Sequence, residues 1–162
     1  MKHLEKIYDK ISNRESLADK LNLWRKEGKM IVFSNGCFDI LHRGHVEYLS
    51  KAADLGDCLV IGLNTDDSVK RLKGPSRPVN DERARAVVLA ALEFVDAVIF
   101  FEEDTPYDLI KFVQPDVLVK GKDYKAEDIV GYDIVVGNGG KVETIDLVEG
   151  FSTTNILKSM VQ

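Results

Sequence analysis

Short apolar runs alternate with longer amphipathic stretches along the 162-residue chain. Leu17, Leu21 and Trp24 recur at helical spacing, so residues 12–27 read as a helix, with Ser12 and Glu15 as a capping box and Gly28 as the stop. Residues 30–33 form a continuous apolar run closed by Asn35-Gly36, the pattern of a buried strand. A helix over 44–55 with Gly56 behind it, a strand over 58–63 and a short helix capped by Thr65 come next. Residues 73–80 are a glycine- and proline-bearing loop, 81–94 a strong helix and 97–101 a third strand. Thr105 and Pro106 read as N-cap and first helical residue of a helix to Val113. A fourth strand over 117–119, a helix over 126–136, a fifth strand over 141–145 and a helix capped by Ser152 and running to Val161 complete the order. Apolar strands alternating with helices predict an α/β fold, a Rossmann-like doubly wound parallel sheet of about five strands with helices on both faces. Residues 1–28 read as an N-terminal helical extension and 29–162 as the main domain.

Ligands of such sheets bind beyond the carboxyl ends of the strands, where the strand order reverses. The informative loops are therefore those after residues 34, 64, 101, 119 and 145. The first reads Ser34-Asn35-Gly36-Cys37-Phe38-Asp39-Ile40-Leu41-His42-Arg43-Gly44-His45. His42 and His45, three apart, share one face of a helix's first turn, and Gly44 leaves room for a ligand's approach. Free N–H groups at a helix start suit phosphate, and two imidazoles can donate to oxygens that gain charge in a transition state. The same pair could decorate a surface, and with Cys37 and Cys58 it has the residue types of a zinc site. Cys58 falls inside an apolar strand, however, which argues against convergence of the four.

After the second strand come Lys70, Arg71, Lys73, Arg77, Arg83 and Arg85. Lys70 and Arg71 read as solvated surface. Lys73-Gly74, where helix gives way to loop on the ligand side, suits a cation for a triphosphate. In Lys120-Gly121-Lys122-Asp123-Tyr124 after the fourth strand, the aspartate and tyrosine could hold a sugar or base, or the segment could be a plain turn. After the fifth, Ser152, Thr153 and Thr154 follow Gly150-Phe151 at a helix start and read as a second anion cradle, although an N-cap needs only one of them.

Apolar residues at 44% and charged residues at 30% are ordinary for one compact globular protein. A formal charge of −5 argues against general nucleic-acid binding. No apolar run is long enough to cross a bilayer and no secretory signal is visible, so neither a membrane nor export is expected. Two cysteines are too few for a disulfide framework, which leaves a reducing cytoplasm as the expected location.

In combination these segments carry a resemblance. Asn35-Gly36-Cys37-Phe38-Asp39 with His42-Arg43-Gly44-His45 resembles the first signature of the HxGH nucleotidyltransferase superfamily. Lys73-Gly74, Arg85, Gly121-Lys122-Asp123-Tyr124 and Gly150-Phe151-Ser152-Thr153-Thr154 are similar, in order, to later signatures of its cytidylyltransferase-like branch. Residues 70–80, 101–106, 119–124 and 152–156 are most similar to the heptose 1-phosphate adenylyltransferase family. That resemblance implies transfer of AMP from ATP to D-glycero-β-D-manno-heptose 1-phosphate, giving ADP-heptose and pyrophosphate on the route to lipopolysaccharide core. It implies catalytic roles for His42, His45 and Lys73. Asn35, Gly36, Cys37, Phe38, Gly44, Arg85, Gly121, Asp123, Tyr124, Ser152, Thr153 and Thr154 would bind nucleotide or phosphate, and Asp39 and Arg77 the sugar substrate. Mg²⁺ is expected to arrive on the triphosphate, with no protein metal site. A separate sugar kinase would supply the substrate, since many relatives carry one fused ahead of this domain, and the N-terminal helix could pack a homodimer. Two departures stand out. Leu147 occupies the place where alcohol-phosphate cytidylyltransferases carry an arginine, and Lys122 stands where glycine is frequent. The alternatives are a cytidylyltransferase for a small alcohol phosphate and a non-catalytic nucleotide-sensing module of the same fold.

Overall fold

The structure is a computed structural model and describes residues 2–161. Its strands are β1 (Ile11–Ser12), β2 (Ile31–Gly36), β3 (Cys58–Asn64), β4 (Ala97–Phe101), β5 (Val117–Gly121) and β6 (Lys141–Ile145). Eight helices lie among the described residues: α1 (His3–Lys10), α2 (Arg14–Lys26), α3 (Arg43–Ala53), α4 (Asp66–Lys73), α5 (Glu82–Ala90), α6 (Tyr107–Val113), α7 (Tyr132–Gly137) and α8 (Thr153–Met160). All strands pair in parallel, in the order β1-β4-β3-β2-β5-β6. The α/β doubly wound fold is thus present, with six strands where about five were expected.

Strand alternation divides the core between the two faces. Val32, Leu59, Ile61 and Val119 pack on one face with Leu49 and Ala52 of α3 and Leu89 of α5. Ile31, Phe33, Val60 and Leu118 pack on the other with Leu17 and Leu21 of α2 and Ile110 of α6.

Three local expectations are corrected. Ser12 is not the cap of α2. It pairs with Ile99 in β1, and Asn13 caps instead, with its side chain and that of Ser16 bonding reciprocally. Pro106, not Thr105, occupies the N-cap of α6, with no side-chain cap bond. The helix expected over 126–136 is two pieces, a 3₁₀ turn at Ala126–Asp128 and then α7, separated by Gly131 at φ +91°. A Cβ at Gly131 would come within 2.7 Å of Ile110, so both backbone and packing require glycine there.

Candidate active site

Strand order reverses between β2 and β5, and the carboxyl ends of these strands open into a cleft of about 700 Å³. The cleft brings together Asn35, Gly36, Cys37, Phe38, Asp39, His42, Gly44, His45, Lys73, Arg77, Gly121, Asp123, Tyr124, Ser152, Thr153 and Thr154. These segments are far apart in sequence and meet only through the sheet.

His42 is the N-cap residue of α3 and makes no side-chain cap bond, which leaves its ring available to the cleft. The His42 and His45 rings stack with centroids 3.8 Å apart and planes inclined at 21°. Both Nδ1 atoms are buried; that of His42 has no hydrogen-bond partner, while the Ile40 backbone acts on the His45 ring as a hydrogen-bond partner. Phe38, held at φ +43°, sets its edge against His45 at 5.2 Å. A Cβ at Gly44 would lie 3.0 Å from the His42 ring and 3.1 Å from Phe151. The glycine therefore admits the imidazole and Phe151, rather than lying open to a ligand.

Burial pushes the His45 pKa down to about 4, with the neighbouring His42 adding to the shift, and burial lowers His42 as well. Both rings are neutral near pH 7, each with one N–H to donate. Between the ordinary 6.5 of an unfolded histidine and about 4, only the unfolded chain takes the proton at residue 45, so stability falls as pH drops through that window. Thermal melts from pH 7 to 4.5 should show this decline, and His45→Gln should flatten it. An unchanged slope in the variant would remove the burial argument.

Asp39 and Arg77 meet, but the carboxylate is consumed within the protein. It accepts from Arg77 Nε at 2.6 Å and from the backbone N–H groups of Val79 and Asn80 at 2.8 and 3.0 Å. Burial would push its pKa up, but the Asn80 and Val79 donors and Arg77 outweigh it and hold the carboxyl below its usual range. Asp39 thus latches the 74–80 loop against the end of β2. Arg85 is the sequence-expected residue that does not line the cleft. It is 2% exposed and donates to Cys37 O at 2.7 Å, Asn80 O at 3.0 Å and Asp66 Oδ1 at 2.8 Å. It braces the two loops from beneath.

Ser152 Oγ accepts from Asn155 N–H at 3.0 Å as the cap of α8, while Thr153 and Thr154 line the cleft. Leu147 packs over Gly121, where an added Cβ would meet its side chain at 3.2 Å. Lys122 bonds Asp146 at 3.0 Å on the surface, joining the loops after β5 and β6. Cys37 borders the cleft, whereas Cys58 opens β3 opposite Ile31, at the other end of the sheet from the imidazoles. No group of three or more metal-ligating side chains occurs among the described residues. No helix among them is long and apolar enough to cross a membrane.

Asn64, Asp104 and Thr105, for which the sequence suggested no ligand role, also line the cleft, as does Lys120, which stood at the head of the 120–124 segment without a role of its own. Asn64 and Lys120 carried a signal: each is a polar residue ending an apolar strand on the ligand side.

Comparison with known proteins agrees with this geometry. Residues 33–158 match the cytidylyltransferase-like family. The chain is 57% identical over 162 residues to a protein of Syntrophotalea carbinolica named "Bifunctional protein HldE", covering 99% of this chain and 33% of that one. The chain spans about a third of the length of such curated relatives. A crystal structure described as the lipopolysaccharide core biosynthesis protein from Thermoplasma volcanium is 31% identical, with a TM-score of 0.61 over 75% of this chain and 98% of that one. A pantoate-beta-alanine ligase from Francisella tularensis, 15% identical with a TM-score of 0.58 over 92% of this chain and 76% of its own, shares the fold. The chain belongs to the cytidylyltransferase-like family of nucleotidyltransferases.

Proposed function

We propose that this chain transfers AMP from ATP to D-glycero-β-D-manno-heptose 1-phosphate and releases pyrophosphate. The observation that carries the reading is the stacked, neutral His42–His45 pair lining the switch-point cleft. The name of the Syntrophotalea relative and the description of the Thermoplasma structure support the pathway.

A sugar phosphate oxygen attacks the α-phosphorus of ATP, forming the new P–O bond as the bond to the β-phosphate oxygen breaks opposite. Pyrophosphate carries away the electron pair. No covalent enzyme intermediate is required, so the protein acts by positioning and by stabilising charge. His42 and His45 donate to the α-phosphate and its bridging oxygen. The loop of Asn35, Gly36, Cys37 and Phe38 borders the same phosphate, Thr153 and Thr154 hold the β- and γ-phosphates, and Gly121, Asp123 and Tyr124 flank the nucleoside. Asp39 and Arg77 shape the acceptor side through the latched loop. Mg²⁺ enters as part of the ATP complex, where it neutralises phosphate charge. The reaction takes place in the cytoplasm, with a sugar kinase supplying the acceptor. A homodimer through residues 1–28 belongs to the same proposal. A pyrophosphate-release screen of ATP and CTP against sugar 1-phosphates and glycerol 3-phosphate tests it. Turnover with ATP and the heptose phosphate is expected, and turnover confined to CTP and an alcohol phosphate would overturn it.

Lys73 bridges the incoming phosphate and the α-phosphate in this scheme. Lys70 and Arg71 are engaged by Asp67 and Asp104, whereas Lys73 lines the cleft. Lys73→Ala should lower kcat roughly 10- to 100-fold, the scale of hydrogen bonds to charged groups. Lys73→Arg should recover only part, because a rigid fork follows shifting charge less well than an ammonium. Lys70→Ala should change little, and an equal loss there would replace Lys73's role with a diffuse basic patch.

The two readings of the last motif separate by residue. Ser152→Ala should cost about 1 kcal/mol of stability, as caps do, and leave ATP affinity nearly intact. Thr153→Val should weaken ATP binding more than folding. Calorimetric titration beside thermal melts distinguishes them, and equal losses in both would reduce the motif to a cap.

A further inference from the structure

Lys120 ends the apolar run of β5 and is flanked by β2 and β6 rather than placed at a sheet edge. By strand alternation its side chain shares a face with Leu118, and that of Asn35 with Phe33, the face away from α3 and its imidazoles. Lys120 Nζ lies 3.5 Å from Asn35 O, a marginal contact and its one hydrogen bond among the described residues. Asn35 Oδ1 is also buried and has no partner among the described residues. The adjacent Lys122 is surface-exposed and has Asp146; Lys120 has no carboxylate acting on it.

A half-buried ammonium without a counter-charge is costly unless something anionic completes it. Burial lowers the Lys120 pKa, opposed only by Cys37, and the side chain nonetheless lines the cleft. The groups that enter this cleft under the transfer reading are phosphates. We propose that Lys120 binds a phosphate group of the reacting substrates, approaching from the face of the sheet opposite the His42–His45 pair. This rests on the transfer reading and adds to it a cation that faces the imidazoles across the reacting phosphates. The phosphate belongs either to the nucleotide or to the sugar phosphate, and the two are separable.

The test measures dissociation constants of a non-hydrolysable ATP analogue, of a sugar 1-phosphate and of adenosine, for wild type, Lys120→Met, Lys120→Arg and Lys122→Ala. Lys120→Met keeps the stem and removes the charge, so its thermal stability should equal or exceed that of wild type. It should weaken one of the two phosphate ligands on the order of 10- to 100-fold while leaving adenosine within twofold. Loss for the ATP analogue assigns Lys120 to the nucleotide, and loss for the sugar phosphate assigns it to the acceptor. Lys120→Arg should restore part of the affinity, and Lys122→Ala should match wild type. Unchanged affinities for both phosphates in Lys120→Met overturn the proposal, and a fall in Tm with unchanged affinities marks a structural lysine and overturns it equally. A loss that extends to adenosine places the side chain on the nucleoside and also overturns it. A wild-type chain that binds neither phosphate sinks the transfer reading together with this one. Wild-type turnover with an unaffected variant sinks this one alone.

Discussion

Replacing His42 or His45 with alanine should lower kcat by about 10²–10³ and leave the fold intact, the scale for removing one preorganised donor to developing charge. The expectation rests on geometry. The rings stack at 3.8 Å at the start of α3 and burial keeps them neutral, so neither ring holds the fold together by ion pairing. The double variant should lose less than the product of the single losses, because residues acting on one transition state are not additive. Steady-state pyrophosphate release at saturating ATP, beside thermal melts, decides the matter. Full activity in either variant would end the donor assignment. A collapse in Tm matching the loss of rate would make the pair a packing feature.

Arg85→Met should produce the largest loss of stability, about 3 kcal/mol. Its guanidinium side chain has no exposure and carries three bonds, so removal strands Asp66 and the carbonyls of Cys37 and Asn80. The figure sits at the low end for a broken buried pair because Asp66 is 29% exposed and can hydrate. Arg85→Lys should recover little, since one ammonium cannot span three acceptors set in a fork. Urea denaturation measures the cost. ATP affinity measured where the variant remains folded should fall only modestly, and a selective collapse of affinity with normal stability would return Arg85 to direct ligand contact.

The parts of the fold legible in the sequence are those that bury on both sides. The runs that became β2, β3 and β4 read as strands because a parallel sheet clad in helices leaves few polar positions to confuse the pattern. The first two elements gave no such sign. The helix α1 has no buried residue, and the two residues of β1 are too few to show a period. Residues 12 to 16 offer overlapping capping patterns, and only the pairing of Ser12 with Ile99 decides between them. At the site, motif spacing located His42, His45, Lys73 and Thr153. It could not reveal that Asp39 and Arg85 are spent on residues up to 48 positions away. A charged side chain in a signature reads as a ligand contact until its internal partner is known.

The smallest strand decides which strand forms the edge of the sheet. Through Ile11 and Ser12, β1 covers Val98 and Ile99 of β4, which are apolar and fully or almost fully buried. Without residues 1–28, β4 becomes the sheet's outermost strand, and its unpaired N–H and C=O groups invite any other extended segment to add on. Ala97-Val98-Ile99-Phe100-Phe101 is also uncharged, β-prone and free of proline, the composition that favours intermolecular stacking. The two residues of β1 thus keep this apolar strand from being the sheet's edge. Loss of the β1 pairing should therefore lower solubility, whereas a cut at residue 33, the start of the matched family region, would also remove Ile31 and Val32 of β2 and the packing of Leu17 and Leu21, and with them the fold.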